Sequence, residues 1–198
     1  MGPLMAVPAL EARRAAGQRT VVLDVRWALG DPHGREHYLE GHLPGAVFVD
    51  LATELATPAT PARGRHPLPT DAEFQETARH WGINHGDLVV AYDNSGNMAA
   101  ARLWWMLRNA GFQDVYLLDG GLAAWRDAGL PLDTGAVEAA VGRVSFDVSP
   151  AGAACPASTR PERQNGRQLA SSWMPGPAKG TGANLNPLTP APATFRAP

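Results

Sequence analysis

Leu88-Val89-Val90-Ala91-Tyr92 is an unbroken apolar run, and it passes directly into Asp93-Asn94-Ser95-Gly96-Asn97-Met98-Ala99, a short polar loop with one glycine. Five apolar residues bounded by turn formers suit a strand buried on both faces. From residue 99 to 109 the apolar residues recur at helical spacing, and this segment carries Arg102, Trp104 and Trp105. A strand, a glycine-containing loop and a helix in that order form the repeating unit of a parallel α/β sheet. Ligands of such sheets gather outside the carboxyl ends of the strands, where the free amides of the next helix point at them. Loop 93–99 is therefore the first candidate site, and it is able to cradle an anion.

Further runs to either side repeat the pattern. Residues 20–24, 46–50 and 115–118 are short, β-branched or apolar stretches that read as additional strands. Between them, residues 10–16, 35–40, 71–81 and 122–128 carry helical spacing. The helix over 71–81 has the clearest ends: Thr70 can cap it, Glu73 three residues on can return the bond, and Gly82 supplies a left-handed stop. Alternation of strands and helices places residues 1–150 in the α/β class, with a parallel sheet covered by helices on both faces.

Composition changes near Pro150. Residues 151–198 hold eight prolines, ten alanines and one acid, Glu162, against five Lys plus Arg, and no period survives more than a few residues. Such a tail is expected to be disordered, because it cannot bury enough apolar surface to offset the cost of ordering it.

The bulk properties exclude several partner classes. At 198 residues and 44% hydrophobic, the chain can bury one good core but is short for two domains of common size. A formal net charge of -2 and no clustered Lys or Arg give no basis for holding nucleic acid. No apolar stretch approaches the length of a membrane span, and residues 1–10 lack a basic start followed by an apolar run, so a cytoplasmic protein is expected. Cys155 is the single cysteine. It cannot form an internal disulfide or build a metal site by itself, and it lies in Ala-Gly-Ala-Ala-Cys-Pro, outside any strand-loop-helix context that would activate a thiolate.

Three segments together carry a family resemblance. Tyr38-Leu-Glu-Gly-His42-Leu-Pro-Gly-Ala46-Val-Phe-Val49 resembles the rhodanese signature. Leu118-Asp119-Gly120-Gly121-Leu122-Ala123-Ala124-Trp125, followed by Gly129-Leu130-Pro131-Leu132, resembles the family's second signature. Leu103-Trp104-Trp105-Met106-Leu107-Arg108 is similar to the first domain of thiosulfate and mercaptopyruvate sulfurtransferases. A Gly-Gly turn or a Trp pair alone more often serves packing, whereas three segments in order at family spacing identify a rhodanese-like domain over roughly residues 21–132.

The resemblance implies a sulfurtransferase of small anionic sulfur compounds such as thiosulfate or 3-mercaptopyruvate, working without a cofactor. That chemistry needs a Cys thiolate, activated by a helix N-terminus and a ring of loop amides, to hold sulfur as a persulfide. The resemblance places that Cys at Asp93. A carboxylate forms no persulfide and repels an anionic donor, so no catalytic residue is expected in this chain. The more ordinary role for Asp93 is a helix cap or loop staple.

A Cys-less first domain, by resemblance, packs against a Cys-bearing second domain and walls one side of the pocket between them. Asp31 and His42 match positions near that pocket. Each also has a plainer role: Asp31, before Pro32, as a turn residue, and His42 as a hydrogen-bonding group within its own loop. Arg102 could steer an anionic substrate or pair with an acid on its helix. Loss of the covering domain is expected to leave an apolar interdomain face open to self-association.

The tail itself points to a lost second domain. Shifting the reading frame back one base over residues 172–198 permits the translation LLDARAGERYRGEPEPLDPGAGHIPGA, which resembles the start of another rhodanese domain. A frameshift near Pro150, which truncates the family architecture, would account for the change in composition there. An unbroken ancestral frame in the gene would refute it.

Overall fold

A computed structural model describes residues 2–146. The tail 151–198, with Cys155 and the frameshift boundary near Pro150, lies outside the described residues. The elements run β1 (Leu4–Met5), α1 (Val7–Ala15), β2 (Thr20–Asp24), α2 (Gly34–Glu40), β3 (Val47–Phe48), α3 (Asp71–His80), β4 (Leu88–Tyr92), α4 (Ala100–Asn109), β5 (Val115–Leu118) and α5 (Gly121–Asp127).

All five strands are parallel, in the order β1-β5-β4-β2-β3. The central strand β4 is buried along its whole length, which is why its sequence shows no polar alternation. Val89 and Ala91 join Phe74, Ala78, Leu103, Met106 and Leu107 beneath α3 and α4. Leu88, Val90 and Tyr92 face Leu10, Leu122 and Trp125 of α1 and α5. Helices thus cover both faces.

The capping of α3 follows the sequence: Glu73 N–H donates to Thr70 Oγ1 at 3.3 Å, Glu73 Oε2 accepts from Thr70 N–H at 2.7 Å, and Gly82 takes φ +81°.

Two segments depart from the sequence reading. The expected strand 46–50 is only two residues long. The Pro44-Gly45 turn precedes it, with Ala46 N–H bonded to Leu43 O, and β3 is an edge strand whose single neighbour is β2. Strand β1 was not expected, and α1 begins at Val7 rather than residue 10. Two residues display no period, and Pro8 is tolerated in the first turn, where an amide would be unpaired anyway.

Past α5, residues 133–146 form a strap that packs on the α2 and α3 side of the domain. His42 and Asp133 exchange backbone bonds at 3.0 and 2.9 Å, Gly142 N–H reaches Arg79 O, and Val144 N–H reaches Ile83 O. Gly142, Val144 and Phe146 are buried while Arg143 and Ser145 are exposed, the two-residue alternation of an extended chain. A Cβ at Gly142 would strike the Ile83 carbonyl, so glycine is required there.

Candidate functional site

Loop 93–99 leaves β4 at the carboxyl edge of the sheet and turns through two left-handed residues, Gly96 at φ +74° and Asn97 at φ +64°. Asparagine tolerates that conformation, and here its side chain also ties the loop to the next strand, Nδ2 donating to Leu118 O at 2.9 Å. The turn aims successive amides inward at one point, and that point is the carboxylate of Asp93.

Asp93 is fully buried. Its Oδ1 accepts the N–H groups of Ser95 and Asn97, both at 2.8 Å. Its Oδ2 accepts those of Ala99 at 2.8 Å and Ala100 at 3.1 Å. The N-terminal flank of α4 is alanine, which offers no capping side chain, so Asp93 supplies the cap from within the preceding loop. The inward amides of the loop are filled by a side chain of the loop itself.

The double glycine at the start of α5 closes the site from the other side. Gly121 takes φ +55°, a Cβ there would strike the Asp93 carbonyl, and Leu122 N–H donates to that carbonyl at 3.0 Å. The turn after β5 and the loop after β4 are therefore built as one unit.

Beside this unit lies a buried polar network. Asp24 and Arg26, two residues apart at the end of β2, share one face and pair at 2.7 Å with both side chains almost wholly buried. Tyr92 Oη donates to Asp24 at 2.6 Å and accepts from Leu43 N–H at 3.1 Å. Arg26 also donates to the carbonyls of His37 and Gly41, fastening α2. Burial raises the Asp24 carboxyl above the usual range, opposed by the Arg26 charge, and burial likewise raises Tyr92.

Two clefts flank Arg26. One, of about 550 Å³, includes Trp27, Asp31, Arg35, Phe48, Asp50 and Glu54 in its walls. The other, of about 420 Å³, includes Asp31, His37, Glu40, Asn94, Leu122 and Arg126. Asp31 thus lines both, with its carboxylate on His33 N–H at 2.9 Å and His37 Nε2 at 3.1 Å. The His33 amide, chiefly, holds its carboxyl below the usual range. No group of three or more His, Cys, Asp or Glu side chains suited to a metal occurs among the described residues. No helix among them is long and apolar enough to cross a membrane.

A Rhodanese-like domain model matches residues 7–128, more than half of the chain. The chain belongs to the rhodanese family.

Relatives of this rhodanese domain are sulfurtransferases. A Mycobacterium tuberculosis protein with the provisional name thiosulfate sulfurtransferase SseB is 50% identical over 130 residues, which make up 66% of this chain and 46% of that protein. Escherichia coli 3-mercaptopyruvate sulfurtransferase is 36% identical over 132 residues, 65% of this chain and 46% of its own. The crystal structure of SseA from E. coli superposes with a TM-score of 0.66 at 32% identity, covering 76% of this chain and 58% of that one. The chain spans about half the length of the curated relatives it matches.

Within the rhodanese frame, the expected site residues separate. Asn94 lines the smaller cleft, and Met98 is exposed at the loop tip. Ser95, Gly96, Asn97 and Ala99 shape the amide ring around Asp93. Asp31 is a cleft residue. His42 is not: it is fully buried, stacked on Tyr38 at 4.1 Å, with Nδ1 on Tyr38 O at 2.9 Å, so its local hydrogen-bonding role is the one realised. Arg102 lines neither of these two clefts and, among the described residues, pairs with no acid. Its guanidinium donates to the carbonyls of Leu55 and His66 at 2.8 to 2.9 Å and holds the long loop after β3, because those carbonyls have no ladder partner. The sequence reading omitted Arg26 and Arg126. For Arg26 a signal was present, an acid and an arginine two apart at a strand end.

Proposed function

We propose that this rhodanese domain is a non-catalytic first half of a two-domain thiosulfate or 3-mercaptopyruvate sulfurtransferase, without sulfur-transfer activity of its own. The observation that carries this reading is the amide ring filled by the Asp93 carboxylate. The ring that would stabilise a persulfide has its four donors committed to a side chain that cannot accept sulfur. The described residues contain no cysteine. Free anion capture by this loop is disfavoured for the same reason, since those donors are taken.

The names of the relatives support small anionic sulfur compounds as the ancestral substrates, and Arg35 and Arg126 in the walls of the two clefts offer cations for such groups. Nucleic acid and membrane are not partners in this reading, and the setting is cytoplasmic. Leu29, 78% exposed after β2, and Met98, 68% exposed after β4, present apolar surface at the carboxyl ends of the strands. Left uncovered, this face is a surface through which the chain self-associates. A clean monomer in sedimentation at high concentration would count against that part.

The decisive assay supplies thiosulfate or mercaptopyruvate with cyanide as acceptor and follows thiocyanate. The wild type, Cys155→Ser and Asp93→Ala should all yield none above background. Thiocyanate formation by the wild type that either substitution abolishes would overturn the proposal and name the nucleophile.

A further inference from the structure

The end of the strap rests on a histidine. Ser145 N–H donates to His85 Nε2 at 3.0 Å, and the Ser145 hydroxyl lies 2.9 Å from the same nitrogen. A backbone amide can only donate, so Nε2 must present a lone pair, and the ring is neutral with its proton on Nδ1. A proton added at Nε2 would set N–H against N–H. We propose that His85 and Ser145 form a pH-sensitive latch, which holds the end of the strap while His85 is neutral and releases it when Nε2 takes a proton from solvent.

Three features make the pair suited to this. Both residues are exposed, so protons reach the ring without any opening of the core. Among the contacts of residues 142–146, this bond is the one made by an imidazole, a group able to gain a proton in water. The others are Gly142 N–H on Arg79 O, Val144 N–H on Ile83 O, Arg79 Nε–H on Val144 O, Arg143 N–H on Asn84 Oδ1 and Phe146 N–H on Gln75 Oε1. Finally, the charged side chains of the neighbouring described segments have partners of their own or are cations. Asp87 is held by Arg19 and the Asn84 amide, Arg79 of α3 pairs with Glu76, and Arg143 on the strap points outward as a cation.

Within the described strap, release is confined to Ser145 and Phe146, because the bonds at Gly142 and Val144 do not change with pH. What it uncovers is apolar. Phe146 is 7% exposed and stacks on Phe74 with ring centroids 5.5 Å apart, so fraying at Ser145 opens the edge of the core under α3.

Hydrogen exchange of the full chain at pH 8.0 and pH 5.0, corrected for intrinsic rates, tests the latch. The amides of Ser145 and Phe146 should lose protection by about fivefold at the lower pH, the scale of one exposed hydrogen bond, while β4 amides keep theirs. His85→Gln, whose Oε1 accepts the same amide without titrating, should keep these two amides protected at both pH values. His85→Ala should leave them weakly protected at both. An equal loss on acidification in wild type and His85→Gln, or no loss in wild type, would overturn the latch.

Discussion

Asp93 accepts the backbone N–H of Ala99 at 2.8 Å, so α4 is capped by a side chain six residues upstream, at the position where the family resemblance puts a sulfur nucleophile. On the proposed reading, the loop's order and its lack of sulfur transfer have one cause. Removing the carboxylate leaves four inward amides without an acceptor. Asp93→Ala should lower unfolding free energy by about 3 kcal/mol or more, measured by urea denaturation. Formate, the fragment deleted, should restore part of this with saturable dependence, whereas an equal response of the wild type to formate would show that the ring is not the receptor.

The Asp24–Arg26 pair is buried and also fastens α2. Losing one partner strands a charge in the interior, so Asp24→Ala should destabilise by roughly 3 to 5 kcal/mol. Replacing both residues by apolar ones should cost less than the sum of the single changes, which a double-mutant cycle reads directly.

Glu54 lies within the loop after β3, accepting Trp81 Nε1–H at 3.1 Å, and burial raises its carboxyl above the usual range. A carboxyl raised in the folded state favours folding while protonated and loses that contribution as pH rises through the folded value. The stability of Glu54→Gln relative to wild type should therefore grow as pH is raised from about 4 to 7. A difference that is flat with pH in matched urea melts would show that Glu54 titrates alike in both states.

Arg102 holds the loop after β3 by its carbonyls, and burial lowers its guanidinium below the ordinary range. Arg102→Ala should expose Arg63 and Arg65 of that loop to rapid trypsin cleavage. Unchanged digestion kinetics would remove its proposed anchoring role.

Phe146 belongs to the core although it lies 18 residues past the end of the family match at residue 128. Phe146→Ala should lower stability by about 3 kcal/mol, as for other buried aromatic truncations. A loss under 1 kcal/mol in the same melts would show that the strap end contributes little.

Much of this protein follows from local sequence. The apolar run at residues 88–92 specifies a central strand because only a strand covered on both faces lacks alternation. Thr70, Glu73 and Gly82 mark the limits of α3 because capping acts within one turn. The three signature segments carry the family, and Asp93, where the resemblance puts a cysteine, carries the expectation of no persulfide chemistry. Tertiary structure decided what distance along the chain conceals. Four amides converge on Asp93, and Arg102 reaches carbonyls 36 and 47 residues away. His42 turns inward onto Tyr38 rather than toward a cleft. Residues 133–146 fold back as a strap, and only its stretch from Gly142 to Phe146 alternates, too short a run to tell what it docks on. Helix caps and strand burial are short-range and leave a pattern in the sequence, while carboxylate occupancy, loop anchoring and strap docking depend on which groups the sheet order brings together.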